Sequence, residues 1–401
     1  GGSSSGEGQR STLLEEFRSN KSRKFELRDV IDCCEEFCRD QHGSRFIQTK
    51  LDGAFPQEKQ LVFDALQPKA LELMTDLFGN YVVQKFLERG TPEQKRALAQ
   101  CMHGKVLELS LDMYGCRVVQ KAIEVMEGTE QEELVRELKG HVMKCVRDQN
   151  GNHVIQKCIE RTAPEAVQFI VQDFAGQVMQ LATHPYGCRV IQRILEHCRH
   201  GQVPPQVEPI LDEIVSHASS LVQDQYGNYV VQHVLEHGEP NDRMLILQQV
   251  AGQVVGMSQH KFASNVVEKL LQFSSPETRK LMLDEMTGEY MGQPAVLVMM
   301  RDAYGNYVIQ KALDVCHGSD RARLIAAIKV HMPAVRKFTY GKHIIAHIEK
   351  LEAGANPGAY MTRGQMHGGG SFPRIGNMGM AGGMPGFGGG MGGMGGMGGM
   401  G

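Results

Sequence analysis

No run of about 18 apolar residues, the length that spans a membrane, occurs in this 401-residue chain. The first residues, Gly1 to Gly8, lack the apolar centre of a secretory leader. An intracellular, cytoplasmic protein is the expectation. Ten cysteines are present, but no CxxC pair and no His/Cys cluster at zinc spacing. Neither a metal nor a cofactor is therefore expected, and the Cys33, Cys34 and Cys38 group reads as a packed helix face. The chain also lacks the basic excess common in nucleic-acid-binding domains: 43 Lys and Arg stand against 46 Asp and Glu, for a net charge of -3. Net charge conceals distribution, so the sign has to be read face by face.

What the chain does contain is a repeat. The segments GSRFIQ, GNYVVQ, GCRVVQ, GNHVIQ, GCRVIQ, GNYVVQ, ASNVVE and GNYVIQ follow one another at spacings of 36, 36, 36, 36, 40, 36 and 42 residues. A degenerate ninth copy begins at Gly341-Lys342-His343. Such regularity is the signature of a stacked repeat architecture. Thr91-Pro92-Glu93-Gln94 reads as a helix N-cap, a first-turn proline and a capping-box glutamine. Ser275-Pro276 repeats the cap and the proline, and Ala163-Pro164 keeps only the proline. Two long helices and one short one per repeat are expected.

At about 100° per residue the motif divides cleanly. In the second copy Val82, Val83, Phe86 and Leu87 form an apolar arc, while Asn80, Tyr81, Gln84 and Lys85 share a polar one. Only the first copy departs, with Lys50 on the apolar arc. The apolar arc should pack between repeats and the polar arc should be exposed. Its three leading positions are Ser44, Arg45 and Gln48; Asn80, Tyr81 and Gln84; Cys116, Arg117 and Gln120; Asn152, His153 and Gln156. They continue as Cys188, Arg189 and Gln192; Asn228, Tyr229 and Gln232; Ser264, Asn265 and Glu268; Asn306, Tyr307 and Gln310.

The middle member is a planar Arg, Tyr or His in all sets except that of Asn265, and planar groups stack on bases. The outer pair is small or amide-bearing and suits a base edge. A cation follows in most copies, at Lys85, Lys121, Lys157, Arg193, Lys269 and Lys311, with His233 in the sixth. One cation per repeat on one face suits a phosphate backbone. Acidic residues such as Glu130, Glu132, Glu133 and Glu137 lie elsewhere, so the net charge is no objection. Each feature alone is common on a solvated helix. Their recurrence in register is what points to single-stranded RNA. The aromatics Phe78, Tyr114, Tyr186, Tyr226, Phe262 and Tyr304, just before the motif Gly or Ala, are assigned to the core. Cys116 and Cys188 could act as nucleophiles, but no His/Asp partner recurs beside them, so no enzyme is expected.

These motifs resemble those of the Pumilio/PUF family across residues 13–351, in order as well as in type: the Ser-Asn-Glu set comes seventh. The resemblance implies an all-α, right-handed α-α superhelix, a crescent of eight three-helix repeats with flanking half-repeats. Residues 1–12 and the Gly/Met-rich 352–401 would be disordered. The motif helices would line the concave face, with RNA antiparallel to the repeats. Asn with Gln would read uracil, Cys or Ser with Gln adenine, and Ser with Glu guanine. The implied site is 5′-UGUAUAUA-3′, read least strictly at the fourth base (Cys188, Gln192) and the fifth (His153). The family also implies sites in messenger 3′ untranslated regions. Co-repressors or a deadenylase complex would be recruited on the convex face and inter-repeat loops by a monomer.

Chemistry supports one letter independently. Guanine presents two adjacent N–H donors, which a carboxylate accepts and an amide cannot. Two rival readings remain at this stage. A protein-binding scaffold of the HEAT or armadillo kind would show varied exposed residues, and an enzyme would show one unique polar cluster. The longer spacings fall at His200–Pro205 and Gly288–Gln293, both expected as surface loops.

Overall fold

The computed structural model describes residues 11–20, 22–198 and 207–352. The chain divides into two units at Ala353, and the described residues all belong to the first. The expected loop at His200–Pro205 and almost all of the Gly/Met-rich tail lie outside the described residues.

The repeating unit is three helices. In the third copy these are the short Val106–Leu111, the motif-bearing Gly115–Val125 and Thr129–Arg136. The eight motif helices are Gln41–Gly53, Gly79–Arg89, Gly115–Val125, Gly151–Arg161, Gly187–His197, Gly227–His237, Ala263–Phe273 and Gly305–Val315. Each packs against the next in chain order, and Thr339–Glu352 continues the row as the ninth copy. The described residues begin with a short helix, Thr12–Ser19, capped by the Ser11 side chain. Ser11 and Thr12 therefore belong to the folded unit, two residues inside the stretch expected to be disordered. At the other end the last described helix runs to Glu352, one residue past the expected boundary.

The start of each motif helix is set by the residue three positions before its leading Gly or Ala. Asp112 Oδ1 accepts the backbone N–H groups of Tyr114 at 2.9 Å and Gly115 at 2.7 Å. Asp40, Asp76, Asp148, Asp224 and Asp302 cap their helices likewise, and His184 and His260 do so through Nδ1. Glycine follows because the helix start lies against the backbone of the preceding short helix. A Cβ on Gly187 would sit 2.5 Å from the Leu181 carbonyl oxygen. The long helices open as expected: Thr91 and Gln94 form a reciprocal capping box, with bonds of 3.3 and 3.0 Å.

Burial follows the apolar arc. Val118, Val119, Ala122 and Ile123 are fully buried, as are Val82, Val83 and Leu87. Lys50, the exception in the first copy, faces the N-terminal segment instead of a preceding repeat, and its ammonium lies 2.6 Å from Glu26. Neighbouring repeats are also stapled through polar groups. Glu285 accepts the N–H groups of Gly252 at 2.7 Å and Val254 at 3.0 Å, and Glu137 takes those of Gly104 and Val106 in the same way. Gly104 and Gly252 hold positive φ values of 72° and 78°, which turn these donors toward the carboxylate.

Gly288–Gln293 is more ordered than a loop. Glu289–Tyr290 pairs with Gln293–Pro294 as a two-stranded hairpin, with Met291 and Gly292 at its turn. Among the described residues no helix is long and apolar enough to cross a membrane.

The close approach at Gly187 generates a stability prediction. Gly187→Ala should destabilise the protein by about 1–3 kcal/mol, the range for overpacking. Gly53→Ala, where a Cβ meets nothing within 4 Å, should not. Urea denaturation of the two variants separates these outcomes; equal midpoints would remove the helix contact as the reason for glycine.

Candidate nucleic-acid interface

The second and last members of each triplet emerge on one face, but the first does not. Ser44, Asn80, Cys116, Asn152, Cys188, Asn228, Ser264 and Asn306 are all buried, from 0% to 4% exposed. This corrects the expectation of three exposed positions. The cause is hydrogen bonding back into the helix start. Asn80 Nδ2 donates to the carbonyls of Asp76 at 2.8 Å and Leu77 at 3.1 Å. With both amide hydrogens directed inward, Oδ1 must face the next turn, where Gln84 Nε2 donates to it at 2.8 Å. Asn152 with Gln156, Asn228 with Gln232 and Asn306 with Gln310 repeat that bond.

In the Ser and Cys copies the glutamine turns to the backbone instead. Gln48, Gln120 and Gln192 donate to the carbonyls of Ser44, Cys116 and Cys188 at 3.0–3.1 Å. Every glutamine of the set is thus oriented by the residue four positions earlier. In the Asn copies the first and last members are thus joined side chain to side chain, a bond that the Ser and Cys copies lack.

Glu268 stands apart. It cannot donate to Ser264, and among the described residues nothing donates a hydrogen bond to it. Burial pushes its carboxyl above the ordinary range, against the opposing charges of Lys311 and Lys269. A half-buried carboxylate with both oxygens unspent is an acceptor pair awaiting two donors.

The middle positions do face outward. Tyr81, Tyr229 and Tyr307 are 37%, 41% and 49% exposed, and Arg45, His153, Arg189 and Asn265 are exposed as well. Arg117 is less open because its guanidinium donates to the Tyr81 hydroxyl at 3.3 Å, bringing successive middle residues together. Partial desolvation of its ring, then the nearby charge of Arg189, lowers the His153 pKa, which favours a neutral ring. The aromatics just before the motif helix, expected in the core, are only partly buried. Tyr304 is 38% exposed, because the N-cap position leaves the ring at the rim.

The row of cations is not a row of free charge. Lys85 pairs with Asp52 at 2.7 Å, Arg193 with Glu160 at 3.0 Å, His233 with Glu196 at 3.0 Å and Lys269 with Glu236 at 2.9 Å. Each of these links a motif helix to the one before it. Lys121 and Lys157 instead pair with Glu124 and Glu160 on their own helices, at 3.0 and 2.9 Å. Glu196 shows the strength of this ladder: burial raises its pKa, but hydrogen bonds from His233 and Arg193 outweigh that and hold it at about 2. The acids lie four residues after the last member of every triplet but the seventh, where Gln272 stands. That recurrence, like the capping Asp before six of the motif helices, is visible in the sequence.

The cysteines of the first position are buried. Burial pushes the Cys116 and Cys188 thiols up to about 11, and their sulfurs lie against the carbonyls of Met113 and Pro185. No three His, Cys, Asp or Glu residues come together as a metal site among the described residues.

The Pumilio-family RNA binding repeat matches residues 33–66, 69–103, 105–139, 141–173, 177–205, 217–251, 253–287 and 296–329. The chain belongs to the Pumilio family. Among solved structures, the Puf3 RNA binding domain bound to a Cox17 RNA 3′ UTR site is 39% identical, with a TM-score of 0.76. PUF-8 in complex with PBE-RNA is also 39% identical, with a TM-score of 0.79. Each comparison covers 84% of this chain and 99% of the other. Pumilio homolog 2 of Xenopus laevis and maternal protein pumilio of Drosophila melanogaster are both 54% identical over 69 residues, or 17% of this chain. Those stretches are 6% and 4% of the two relatives' lengths. The fold is the Pumilio solenoid, an all-α right-handed superhelix, and the scaffold reading of the HEAT or armadillo kind falls away.

The burial of the pocket thiols yields a chemical prediction. Alkylation of the folded protein near pH 7.5, followed by mass spectrometry, should label the partly exposed Cys33 well before Cys116 or Cys188. Early labelling of Cys116 or Cys188 would mean that their pockets are open and the thiols reactive.

Proposed function

We propose that this Pumilio protein binds single-stranded RNA of the form 5′-UGUAUAUA-3′, one base per repeat, with the eighth repeat on the first base. The single observation that carries this reading is Glu268. In the seven other repeats the corresponding side chain is a glutamine whose amide is tied to its own helix. In the seventh it is a carboxylate with unspent oxygens, matched to the N1–H and N2–H donors of guanine. The neighbouring Asn–Gln pairs, as in the family, take uracil, and the Cys–Gln and Ser–Gln pairs take adenine.

Tyr81, Tyr229, Tyr307 and the arginines between them supply faces on which the bases stack. Lys85, Lys121, Lys157, Arg193 and Lys269 border the RNA path as half-neutralised cations. Their contribution to phosphate binding is correspondingly modest, because an ion pair must be shared or opened to provide it. The sites would lie in messenger 3′ untranslated regions. Repression or decay would follow from protein partners, a co-repressor or deadenylase complex, with the chain acting as a cytoplasmic monomer.

Selection from random RNA should return 5′-UGU followed by an A/U-rich stretch. Enrichment of sequences without UGU would overturn the register or the polarity. A sharper expectation concerns Ser264→Asn, Asn265→Tyr and Glu268→Gln introduced together, which gives the seventh repeat the triplet of the second. Losing a charge-assisted bond costs roughly 1.5–3 kcal/mol, so the variant should prefer U over G at the second base. The other seven positions should keep their preferences, since each repeat contacts mainly its neighbours. Affinities for RNAs differing only at that base decide the matter, and retention of the parent's margin for G would remove Glu268 as the reader.

A further inference from the structure

The first motif helix breaks the pattern of the other seven at two adjacent positions. Where they carry a basic residue just after the triplet, it carries Thr49, and where they carry an apolar residue next, it carries Lys50. The Thr49 hydroxyl is spent on the Arg45 carbonyl at 2.8 Å. One residue is about 100° of helix, so the cation has turned away from the triplet face. It has turned toward the N-terminal segment, where it meets Glu26.

Lys50 there lines a cleft of about 380 Å³ with Phe46 of the same helix, Phe17 of the first helix, and Arg23, Lys24 and Glu26 of the segment that follows it. Sites for small ligands occupy roughly 300–1,000 Å³. The walls are already arranged. Phe17 packs against Phe46 with ring centroids 5.1 Å apart, and edge-on to Phe25 at 5.2 Å. Arg23 lies over the Phe25 ring, 4.4 Å from its centroid, and Glu16 holds its guanidinium at 2.7 Å. That planar group is seated yet still 40% exposed. Lys50 donates to Glu26 at 2.6 Å, which spends one of its three ammonium hydrogens. Among the described residues Lys24 has no acidic partner.

The cleft thus offers a guanidinium plane and aromatic rings to a base, and cations to a phosphate. These are the two kinds of group that each triplet and its cation present. The cleft also continues the row. RNA antiparallel to the repeats would leave its last base at Ser44, Arg45 and Gln48, with its 3′ end directed past this helix. Phe46 follows Arg45 round the helix by about 100°, on the side that faces the cleft.

We propose that the cleft is a ninth nucleotide subsite, which takes the residue 3′ to the octamer with its base against Arg23 and Phe46 and its phosphate at Lys50 and Lys24. The proposal rests on the polarity in the reading given above. It makes Lys50 part of a binding site instead of a solvent-facing end to the solenoid.

The test measures binding of the full chain to 5′-UGUAUAUA, to 5′-UGUAUAUAU, and to the same nonamer without its last base. A stacked base contributes roughly fivefold or more, so the nonamer should bind at least that much more tightly than the octamer. The abasic nonamer should recover only part of the gain. Arg23→Gln and Lys50→Gln together should abolish the gain. Octamer affinity, which also reports that the chain is folded, should stay at the parent's value. Lys24→Gln, which breaks no ion pair, should lessen the gain without disturbing the fold.

A nonamer no tighter than the octamer overturns the proposal. So does a gain that survives these substitutions, or one that the abasic nonamer reproduces in full. A gain from 5′-UUGUAUAUA that the paired substitution removes would instead reverse the polarity, which overturns the reading and with it the 3′ assignment. The two kinds of failure are therefore distinguishable.

Discussion

From the second repeat to the eighth, each motif helix is held on both sides by other motif helices, through an apolar arc that leaves it no freedom to rotate. Val118, Val119, Ala122 and Ile123 in the third repeat are fully buried, and their counterparts in the second are nearly so. Rotation by one residue, about 100°, would bring a charged side chain into this interface. The capping Asp and the glycine beneath it fix the axial position, because the helix start is bonded at one end and pressed against backbone at the other. The same positions therefore face outward in every repeat. Everything proposed about RNA depends on that constancy, since a one-base-per-repeat reader needs equal presentation at equal spacing.

Within this rigid frame the side chains are prearranged as well. Seven glutamines are bonded to the residue four positions earlier, so their amides meet a ligand in a set orientation. The Asn–Gln pairs differ from the Ser–Gln and Cys–Gln pairs in an unexpected way. Their Asn is closed upon its own Gln, so a ligand that took over the Asn oxygen would exchange its hydrogen bond for that internal one. The net effect of such an exchange is small, on the order of 1 kcal/mol, because one hydrogen bond replaces another. It nevertheless provides a physical distinction between pockets that share a glutamine.

Much of this was legible in the sequence, and the losses have identifiable causes. The eight-fold repeat, the helical class and the split into apolar and polar arcs all follow from spacing and periodicity, which survive folding unchanged. Glu268 was legible because a single carboxylate among seven amides is a difference of chemical kind. The burial of Asn80 and its equivalents was not: angular position on a helix tells which way a Cβ points, but not that a short side chain will bond back to the carbonyls beneath it. The cations were misread for a related reason. Lys85 and Lys269 find their partners 33 residues away, on the preceding repeat, where an acid recurs in register. Tyr304 and its equivalents were placed too deep because an aromatic at a helix cap can remain at the rim.

The central claim is that Glu268 meets a guanine, second from the 5′ end, through both of its carboxylate oxygens. A crystal structure of the chain with 5′-UGUAUAUA tests it most directly. The account predicts the guanine N1 and N2 atoms within about 3 Å of the Glu268 oxygens, the common range for such bonds. It also predicts the 5′ uracil beside Asn306 and Gln310. A complex in which Glu268 faces solvent, or in which the guanine occupies another repeat, would contradict it.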